Sequence, residues 1–232
     1  AATHGLKVLE DAAAAHLSQY RGDRFAGSIG DIGIFSFTPS KSITTGEGGM
    51  IVTRDGDLAE KCRLLRNFND TGKFEWDDLG FNWRMPEVMG AIGCEQLDKL
   101  NKIIADRRAI GSLYSERFAE EEAIITPKLR TPTDGNYQIY TIRLRLELLD
   151  CDRDRIIEDL DKRGVVARLY YPTMHTQKVF ATLGDQNQAE MQNAVTFSRE
   201  AMTIPLYTEL SAKEQTHVVQ SLLGVVREHR KN

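Results

Sequence analysis

The sequence predicts an α/β fold in two parts that a long helix connects. Up to about residue 120, short apolar runs of strand length are interspersed with segments of helical spacing. Beyond residue 121 the patterns are typical of a smaller α/β unit with a mainly antiparallel sheet. We therefore predict a first domain over residues 1–95, a connecting helix over 96–120 and a C-terminal domain over 121–232.

Three short apolar runs predict strands in the first domain. They are "LKVLED", "DIGIFSFT" and "GMIVTRD". "DLAEKCRLLRNF" has helical spacing, and we expect Asp57 to cap its start. Pro86 opens the long helix, as proline does in a first turn. Gly90 and Gly93 destabilise a helix unless something packs closely there, so we expect a tight helix crossing at these positions.

The C-terminal domain follows the segment "TPKLRTPTDGN" and starts with an alternating strand, "YQIYTIRLRL". A helix, a strand and two more helices are predicted after it. Their sequences are "DRDRIIEDLDKRG", "VVARLYY", "QAEMQNAVTFSREAM" and "SAKEQTHVVQSLLGVVREH".

The composition argues against several classes of protein. With 41% apolar and 28% charged residues, the chain of 232 residues has the balance of a soluble globular protein, and its net charge of −4 gives no general attraction to nucleic acid or acidic membranes. No apolar run approaches the roughly 20 residues that span a bilayer. We predict a cytoplasmic protein in which Cys62, Cys94 and Cys151 are reduced thiols. Since no His/Cys group has metal-ligand spacing, no metal site is predicted.

Lys41 lies between an apolar run and a glycine cluster, in "FSFTPSKSITTGEGGM". Burial beside strands disfavours the charged form of a lysine and frees its amine as a nucleophile for Schiff-base chemistry. A lysine beside a flexible glycine-rich loop is more often solvated or bound to an anion. From local spacing alone, the ordinary lysine is the favoured interpretation.

Two polar residues, one at the end of a predicted strand and one within another, are candidates for a site. Asp11 follows an apolar strand, and its simplest role is to cap a short helix; the functional alternative is a carboxylate paired with the pyridinium nitrogen of pyridoxal phosphate. Ser36 precedes Lys41 by five residues, so its hydroxyl is a candidate phosphate contact, or an ordinary polar residue in a strand.

Other candidates stay open on local grounds. Asn82 and Arg84, in "LGFNWRMPE", either cap the long helix and pair with a surface acid or take part in a site. His175, in "YYPTMHTQ", is a loop histidine or a substrate contact, and His16 has no role that the sequence assigns.

Taken in order, five segments resemble the DegT-type sugar-nucleotide aminotransferases, which are pyridoxal-phosphate enzymes of fold type I. The segments are "VLEDAAAAH", "RFAGSIGDIGIFSFTPSKSITTGEGGMIVT", "LGFNWRMPEVMGAIGCEQLDKL", "YYPTMHTQKVF" and "SREAMTIPLYTELS". The resemblance implies an incomplete large cofactor-binding domain with a mixed, mostly parallel sheet, followed by the smaller C-terminal α/β domain.

The resemblance also implies roles for individual residues. Lys41 would bind pyridoxal phosphate covalently and then act as the general base. Asp11 would bind the pyridine nitrogen and Ser36 the cofactor phosphate. Asn82 would reach the cofactor phosphate of the partner subunit in a homodimer with shared sites, and Arg84 would support that loop. His175 would lie near the sugar-nucleotide pocket.

The implied reaction moves an amino group from L-glutamate to a keto-sugar nucleotide, in the synthesis of aminosugars for cell-surface polysaccharides. Relatives that carry out sugar 3-dehydration have histidine at the position of Lys41, so lysine favours transamination. A keto-cyclitol such as an inosose is an alternative acceptor. A truncated, non-catalytic remnant that serves as an interaction module is the alternative of a different class.

Two departures from the family pattern bear on these expectations. The family has glutamine three residues after the cofactor-binding aspartate, where this chain has Ala14. The family also carries an N-terminal segment with a phosphate-binding turn and a ring-stacking aromatic residue before the first strand of this chain. Missing strands would expose sheet edges, which natural proteins avoid. We therefore expect that the sequence is a fragment of a complete enzyme or comes from an incomplete gene. The less favoured alternatives are that another chain supplies the missing strands, or that a truncated gene product has a different role.

Overall fold

The structure is a computed structural model that describes residues 1–72, 75, 76, 78–129, 133–180 and 191–231. The strands are β1 (Leu9–Asp11), β2 (Gln19–Tyr20), β3 (Arg24–Phe25), β4 (Ile32–Ser36), β5 (Gly49–Thr53), β6 (Ile124–Ile125), β7 (Thr133–Asp134), β8 (Tyr140–Leu144), β9 (Arg168–Leu169) and β10 (Ala201–Ile204). The helices are α1 (Gly56–Leu65), α2 (Glu87–Arg117), α3 (Arg153–Asp161), α4 (Gln192–Glu200) and α5 (Ala212–Glu228). Short 3-10 helices cover Ala2–His4, Leu146–Leu148, Met174–Thr176 and Lys178–Phe180.

The chain forms two compact units. The first comprises residues 1–106 and 129–138, and the second comprises residues 107–128 and 139–232. The division falls within α2, and the segment 129–138 joins the first unit although it follows the helix. The domain boundaries at 95 and 120 stay a prediction.

Two small sheets form the first unit. In one, with the strand order β1-β4-β5, β1 is parallel to β4 and β4 is antiparallel to β5, so this sheet is mixed. In the other, β2 pairs with both β3 and β7, so that the late segment 129–138 is tied to the loop after β1. The strands predicted from the three apolar runs are β1, β4 and β5.

The cap of helix α1 lies two residues before the expected one. The carboxylate of Asp55, not that of Asp57, accepts hydrogen bonds from the backbone N–H groups of Asp57 and Leu58, at 3.0 and 3.2 Å. The prediction of Asp57 as the cap is therefore wrong. Only a residue with extended backbone just before the helix directs its side chain at the free N–H groups, and Asp55 has that backbone.

Helix α2 begins directly after Pro86, as predicted. Leu100 and Ile104 of this helix are buried in the first unit, whereas Leu97 is 45% exposed. Of the two early glycines, only Gly93 makes the predicted close contact: a Cβ there would lie 3.2 Å from the Thr45 side chain, whereas a Cβ at Gly90 would meet nothing within 4 Å. The neighbour is a loop, so the expected helix crossing is not what the glycine accommodates.

The second unit contains the predicted antiparallel sheet. Its order is β6-β8-β10-β9, and each pairing is antiparallel. Strand β8 alternates as predicted, since Tyr140, Ile142 and Leu144 are fully buried. Gly164, with φ +74°, ends α3, and Ser211 with Glu214 forms a capping box at the start of α5. Residues 188–190 of the helix predicted around α4 lie outside the described residues.

Two further sequence expectations concern membrane segments and thiols. Among the described residues, no helix is both long and apolar enough to cross a membrane. Cys62, Cys94 and Cys151 are free thiols.

An imidazole in the second unit links two acidic side chains. Nδ1 of His229 lies 2.9 Å from Asp150, and Nε2 lies 2.9 Å from Asp159. The hydrogen bond to Asp159 raises the pKa of His229 against the opposing effect of burial, and Asp150 adds to the rise. Bonds from Lys162 and His229 lower the pKa of Asp159. When the ring is protonated, it can donate to both carboxylates and so joins the C-terminal end of α5 to α3.

We predict that this link stabilises the fold in a pH-dependent way. Because the pKa of His229 is raised on folding, its contribution is full below about pH 6.5, the unfolded value, and is lost as pH rises through the folded value. His229→Gln should lower the free energy of unfolding in urea at about pH 6, and its difference from the unaltered protein should shrink by about pH 9. His4→Gln, at an exposed position, is the control. A difference that does not change with pH would contradict the account.

Candidate functional site

The parallel pair β1 and β4 brings Asp11 and Ser36 to one sheet edge. Asp11 is the last residue of β1 and pairs with Ile34, and Ser36 ends β4 two residues later. Ligands of open α/β sheets bind outside the carboxyl ends of such strands. The edge is therefore the place in the first unit where a ligand is expected.

The Asp11 carboxylate is exposed and begins a turn. One oxygen accepts a hydrogen bond from the backbone N–H of Ala13 at 3.1 Å, and no helix starts at that point. The helix-cap interpretation of Asp11 is therefore wrong. Among the described residues no side chain bonds to this carboxylate, so it is available to a ligand.

Glu10 fixes the turn that faces the neighbouring strands, a role that the sequence analysis missed. Its carboxylate accepts backbone hydrogen bonds from Gly27 at 2.9 Å, Ile29 at 2.6 Å and Gly30 at 2.5 Å. Burial acts to raise the pKa of Glu10, but these three donors outweigh it and lower the pKa. The two consecutive acids at the end of the strand could have predicted this role. Glu10 binds the backbone of the turn, and Asp11 is left to contact a ligand.

Glycine is required where this turn meets β4. A Cβ on Gly33 would lie 2.0 Å from the carbonyl oxygen of Gly27, which itself has φ +84°. The two backbones therefore approach more closely than any side chain would allow.

Lys41 lies on a loop whose two sides are anchored. Phe37 before it and Ile43 after it are 5% and 2% exposed, and both join a core cluster with Leu100 and Ile104 of α2. The backbone N–H of Thr45 donates to the carbonyl of Phe37 at 3.0 Å and closes the loop. The backbone of Lys41 is thus held from both directions.

The threonines after Lys41 restrain the glycine-rich segment. The hydroxyl of Thr44 donates to Phe37 O at 2.8 Å, and that of Thr45 donates to Glu47 O at 2.6 Å. The expectation of a flexible loop here is not what the hydrogen bonds indicate. They define a loop that is bonded to its own strand and packed on α2.

The Lys41 amine is partly exposed and makes no hydrogen bond or ion pair with the described residues. His16, for which the sequence assigned no role, lies nearby. Its ring is 3% exposed, packs 5.4 and 5.9 Å from the rings of Phe35 and Phe37, and has no hydrogen-bond partner among the described residues. Burial and the charge of Lys41 lower the pKa of His16, with a weaker opposing effect of the Ser36 backbone. The ring beside the lysine is therefore neutral.

Ser36 and Ala14 complete this edge. The hydroxyl of Ser36 lies 3.2 Å from that of Thr38, so two hydroxyls stand together between the strand and the lysine loop. Ala14, in place of the family's glutamine, is exposed and leaves the position without a side-chain amide.

Asn82 and Arg84 lie in the first unit on the segment before α2. Arg84 donates to Asn82 at 3.0 Å, and its guanidinium lies 5.1 Å from the ring of Phe68. Trp83, between them, is 67% exposed, and its ring stacks on that of Phe81 at 4.0 Å. An open cavity of about 670 Å³ adjoins Arg84 and is lined partly by Phe68 and Trp76.

His175 belongs to the second unit and lies in the 3-10 helix Met174–Thr176. Its Nε2 is buried and has no hydrogen-bond partner among the described residues. The two open interpretations of this histidine therefore both remain.

One group of metal-ligand residue types escaped the sequence analysis because its histidine lies 78 positions or more along the chain from its other two members. Ligand atoms of Asp150, Cys151 and His229 lie within 4.8 Å of one another. Both ring nitrogens of His229 are bonded to carboxylates, so the group is accounted for by ion pairing.

The family assignment follows from comparison with known proteins. The model of the DegT/DnrJ/EryC1/StrS aminotransferase family matches residues 1–223. The chain belongs to this family.

Two relatives and one solved structure illustrate the similarity. The chain is 34% identical to the "Pleiotropic regulatory protein" of Geobacillus stearothermophilus, over 97% of this chain and 59% of that protein. It is 35% identical to the GDP-perosamine synthase of Caulobacter vibrioides, over 94% of this chain and 58% of that protein. The crystal structure of S. venezuelae DesV superposes with a TM-score of 0.90 at 29% identity, over 100% of this chain and 60% of that one.

As a DegT-family chain, the protein has the predicted α/β fold of pyridoxal-phosphate-dependent aminotransferases, and the predicted cofactor is confirmed as that of the family. The chain spans about three fifths of the length of the relatives that it matches. The residues present fit pyridoxal phosphate. They offer an amine on an anchored loop and a carboxylate for the pyridine nitrogen, neither bonded to a side chain in the described part of the chain, together with hydroxyls for a phosphate.

We predict that Glu10→Gln loosens the turn at residues 27–30, next to the strand end that carries Asp11. An amide accepts these backbone hydrogen bonds more weakly than a carboxylate, so the free energy of unfolding in urea should fall by about 1–3 kcal/mol at neutral pH. Since folding lowers the pKa of Glu10, its contribution is present above about pH 4.5 and is lost as pH falls through the folded value. Glu60→Gln, on the exposed side of α1, is the control. Equal stability of Glu10→Gln and Glu60→Gln at neutral pH would refute the role.

Proposed function

We propose that the protein transfers an amino group from L-glutamate to a keto-sugar nucleotide with pyridoxal phosphate as cofactor. One observation carries the proposal: the Lys41 amine, which has no partner among the described residues, lies on a loop that is anchored at both sides. The free Asp11 carboxylate and the Ser36 hydroxyl at the adjacent sheet edge support it. The sugar-nucleotide acceptor is supported by the relative named GDP-perosamine synthase.

Lys41 has two tasks in this proposal. Bound pyridoxal phosphate supplies an electron sink for the substrate carbon. The Nζ of Lys41 would hold the cofactor and, when free of it, would move the substrate proton as a general base. An amine already engaged in an ion pair would have to break it first, and Lys41 has no such pair with the described residues.

Asp11 and Ser36 bind and orient in this proposal. The carboxylate of Asp11 keeps the pyridine nitrogen protonated, and its exposure at the end of β1 leaves it free to do so. The hydroxyl of Ser36, which lies next to that of Thr38, would donate to the cofactor phosphate. His16 is a neutral neighbour that adds no charge next to Lys41.

We also propose a homodimer in which Asn82 reaches the cofactor phosphate of the partner subunit. Arg84 holds the Asn82 amide by its hydrogen bond, and His175 contacts the sugar nucleotide. Large apolar side chains around Asn82 support an interface, because Leu79, Trp83 and Val88 are 82%, 67% and 67% exposed.

Two alternatives are distinguished by experiment. A keto-cyclitol acceptor predicts 2-oxoglutarate release from glutamate with an inosose and not with keto-sugar nucleotides. A non-catalytic interaction module is favoured by the same exposed apolar side chains and by Ala14. It predicts that the folded protein binds no pyridoxal phosphate.

We predict that Lys41→Ala abolishes the visible absorption band of lysine-bound pyridoxal phosphate and all transamination. Borohydride should remove the band from the unaltered protein and fix the cofactor to it. Lys61→Ala, at an exposed lysine of α1, should retain both the band and the activity. A band of wild-type intensity in Lys41→Ala would refute the assignment.

We predict that Asp11→Asn keeps the covalent link but lowers kcat by about 10²–10³, because the pyridine nitrogen loses its negative partner. Single-turnover kinetics with glutamate measure the effect apart from product release. Asp23→Asn, in the β2–β3 turn, serves as the control. A rate for Asp11→Asn within a few-fold of the control would show that the carboxylate has another role.

A further inference from the structure

The segment 136–138, to which the sequence analysis assigned no functional role, bonds to both of the loops that carry the proposed site. It lies in the first unit, between β7 and β8, some 100 residues along the chain from those loops. The pairing of β7 with β2, with Asp134 opposite Gln19, holds it next to the segment that follows β1.

Asn136 bonds to the loop after Asp11. Its side chain is 7% exposed, and its amide nitrogen donates to the carbonyl oxygens of Ala14 at 2.8 Å and His16 at 3.1 Å. Its amide oxygen accepts from the backbone N–H of Gln138 at 3.1 Å. Both ends of a buried amide are therefore used, and the chain from Asp11 to His16 is held at two carbonyls.

Gln138 bonds to the loop of Lys41. Its side-chain amide donates to the carbonyl oxygen of Ser40, the residue directly before Lys41, at 2.5 Å. One three-residue segment thus contacts the backbone on the Asp11 side and on the Lys41 side of the edge.

The residue between them has an unfavourable backbone conformation. Tyr137 has φ +45°, in the left-handed region that bulky residues rarely adopt. Such a conformation persists where the surrounding contacts fix it, and it is concentrated at functional sites. Here the hydrogen bonds of Asn136 and Gln138 fix the backbone on either side.

We propose that Asn136 and Gln138 are positioning residues that fix the Lys41 loop relative to the Asp11 loop. The inference rests on the proposed function, in which one cofactor must meet the Lys41 amine and the Asp11 carboxylate at the same time. A displacement of about 1 Å in such an arrangement costs about 10²-fold in rate. The two amides hold both loops to one segment, which limits that displacement.

Two variants of unchanged side-chain size test the inference. Asn136→Asp and Gln138→Glu replace the donating amide by a carboxylate that repels the carbonyl it faced. The control is Gln215→Glu, which removes a similar amide-to-carbonyl bond, at 2.7 Å to Leu210, in the second unit. Should Asn136→Asp fail to fold, Gln138→Glu, with a less buried side chain, carries the test alone.

The first readout needs no cofactor. Amide hydrogen exchange should accelerate in peptides covering residues 12–16 and 38–45 in the two variants, and not in Gln215→Glu. The second readout uses the loaded protein: the Kd of pyridoxal phosphate should rise about tenfold, the pH midpoint of the visible band should move, and kcat should fall more than KM changes.

The outcomes separate the inference from the function on which it rests. Wild-type exchange, cofactor affinity and band titration in folded Asn136→Asp and Gln138→Glu would overturn the positioning role and leave the aminotransferase proposal intact. The opposite outcome combines two results: exchange is accelerated at both loops in the variants, and the folded, unaltered protein forms no visible band with pyridoxal phosphate. It would refute the proposed function but keep the link between the loops.

Discussion

The position of Lys41 depends on the burial of two apolar side chains on either side of it, Phe37 and Ile43. Both lie against Leu100 and Ile104 of α2. Burial of side chains of this size stabilises a fold by about 1.5–3 kcal/mol each. The lysine therefore needs no contact of its own to be held, and its amine stays available for chemistry.

The other parts of the proposed site follow from strand topology. A parallel pair must place the carboxyl ends of both strands at one edge, which brings Asp11 and Ser36 to the same side as the lysine loop. Glu10, one residue earlier, accepts backbone hydrogen bonds of the adjacent turn. Two neighbouring acids thus have separate tasks, because successive side chains of a strand point to opposite faces.

The sequence predicted the strands β1, β4 and β5, the long helix and the antiparallel second sheet, since each has a clear apolar period. The lysine was recognisable only through the ordered segments around it; its local pattern favoured an ordinary surface residue. Asp55 and Asp57 were harder to separate, because the cap depends on a backbone angle that two nearby acids do not reveal. Gly90 and Gly93 likewise differ only in what the tertiary fold places opposite them.

Contacts between distant segments were beyond local patterns. The hydrogen bonds of Asn136 and Gln138 join residues about 100 positions apart, and neither amide belongs to a recognisable sequence pattern.

Peptide mapping by mass spectrometry, after borohydride treatment of the protein with pyridoxal phosphate, tests most directly the claim that Lys41 binds the cofactor. The account predicts the cofactor label on Lys41. A label on another lysine, or none on the folded protein, would contradict it.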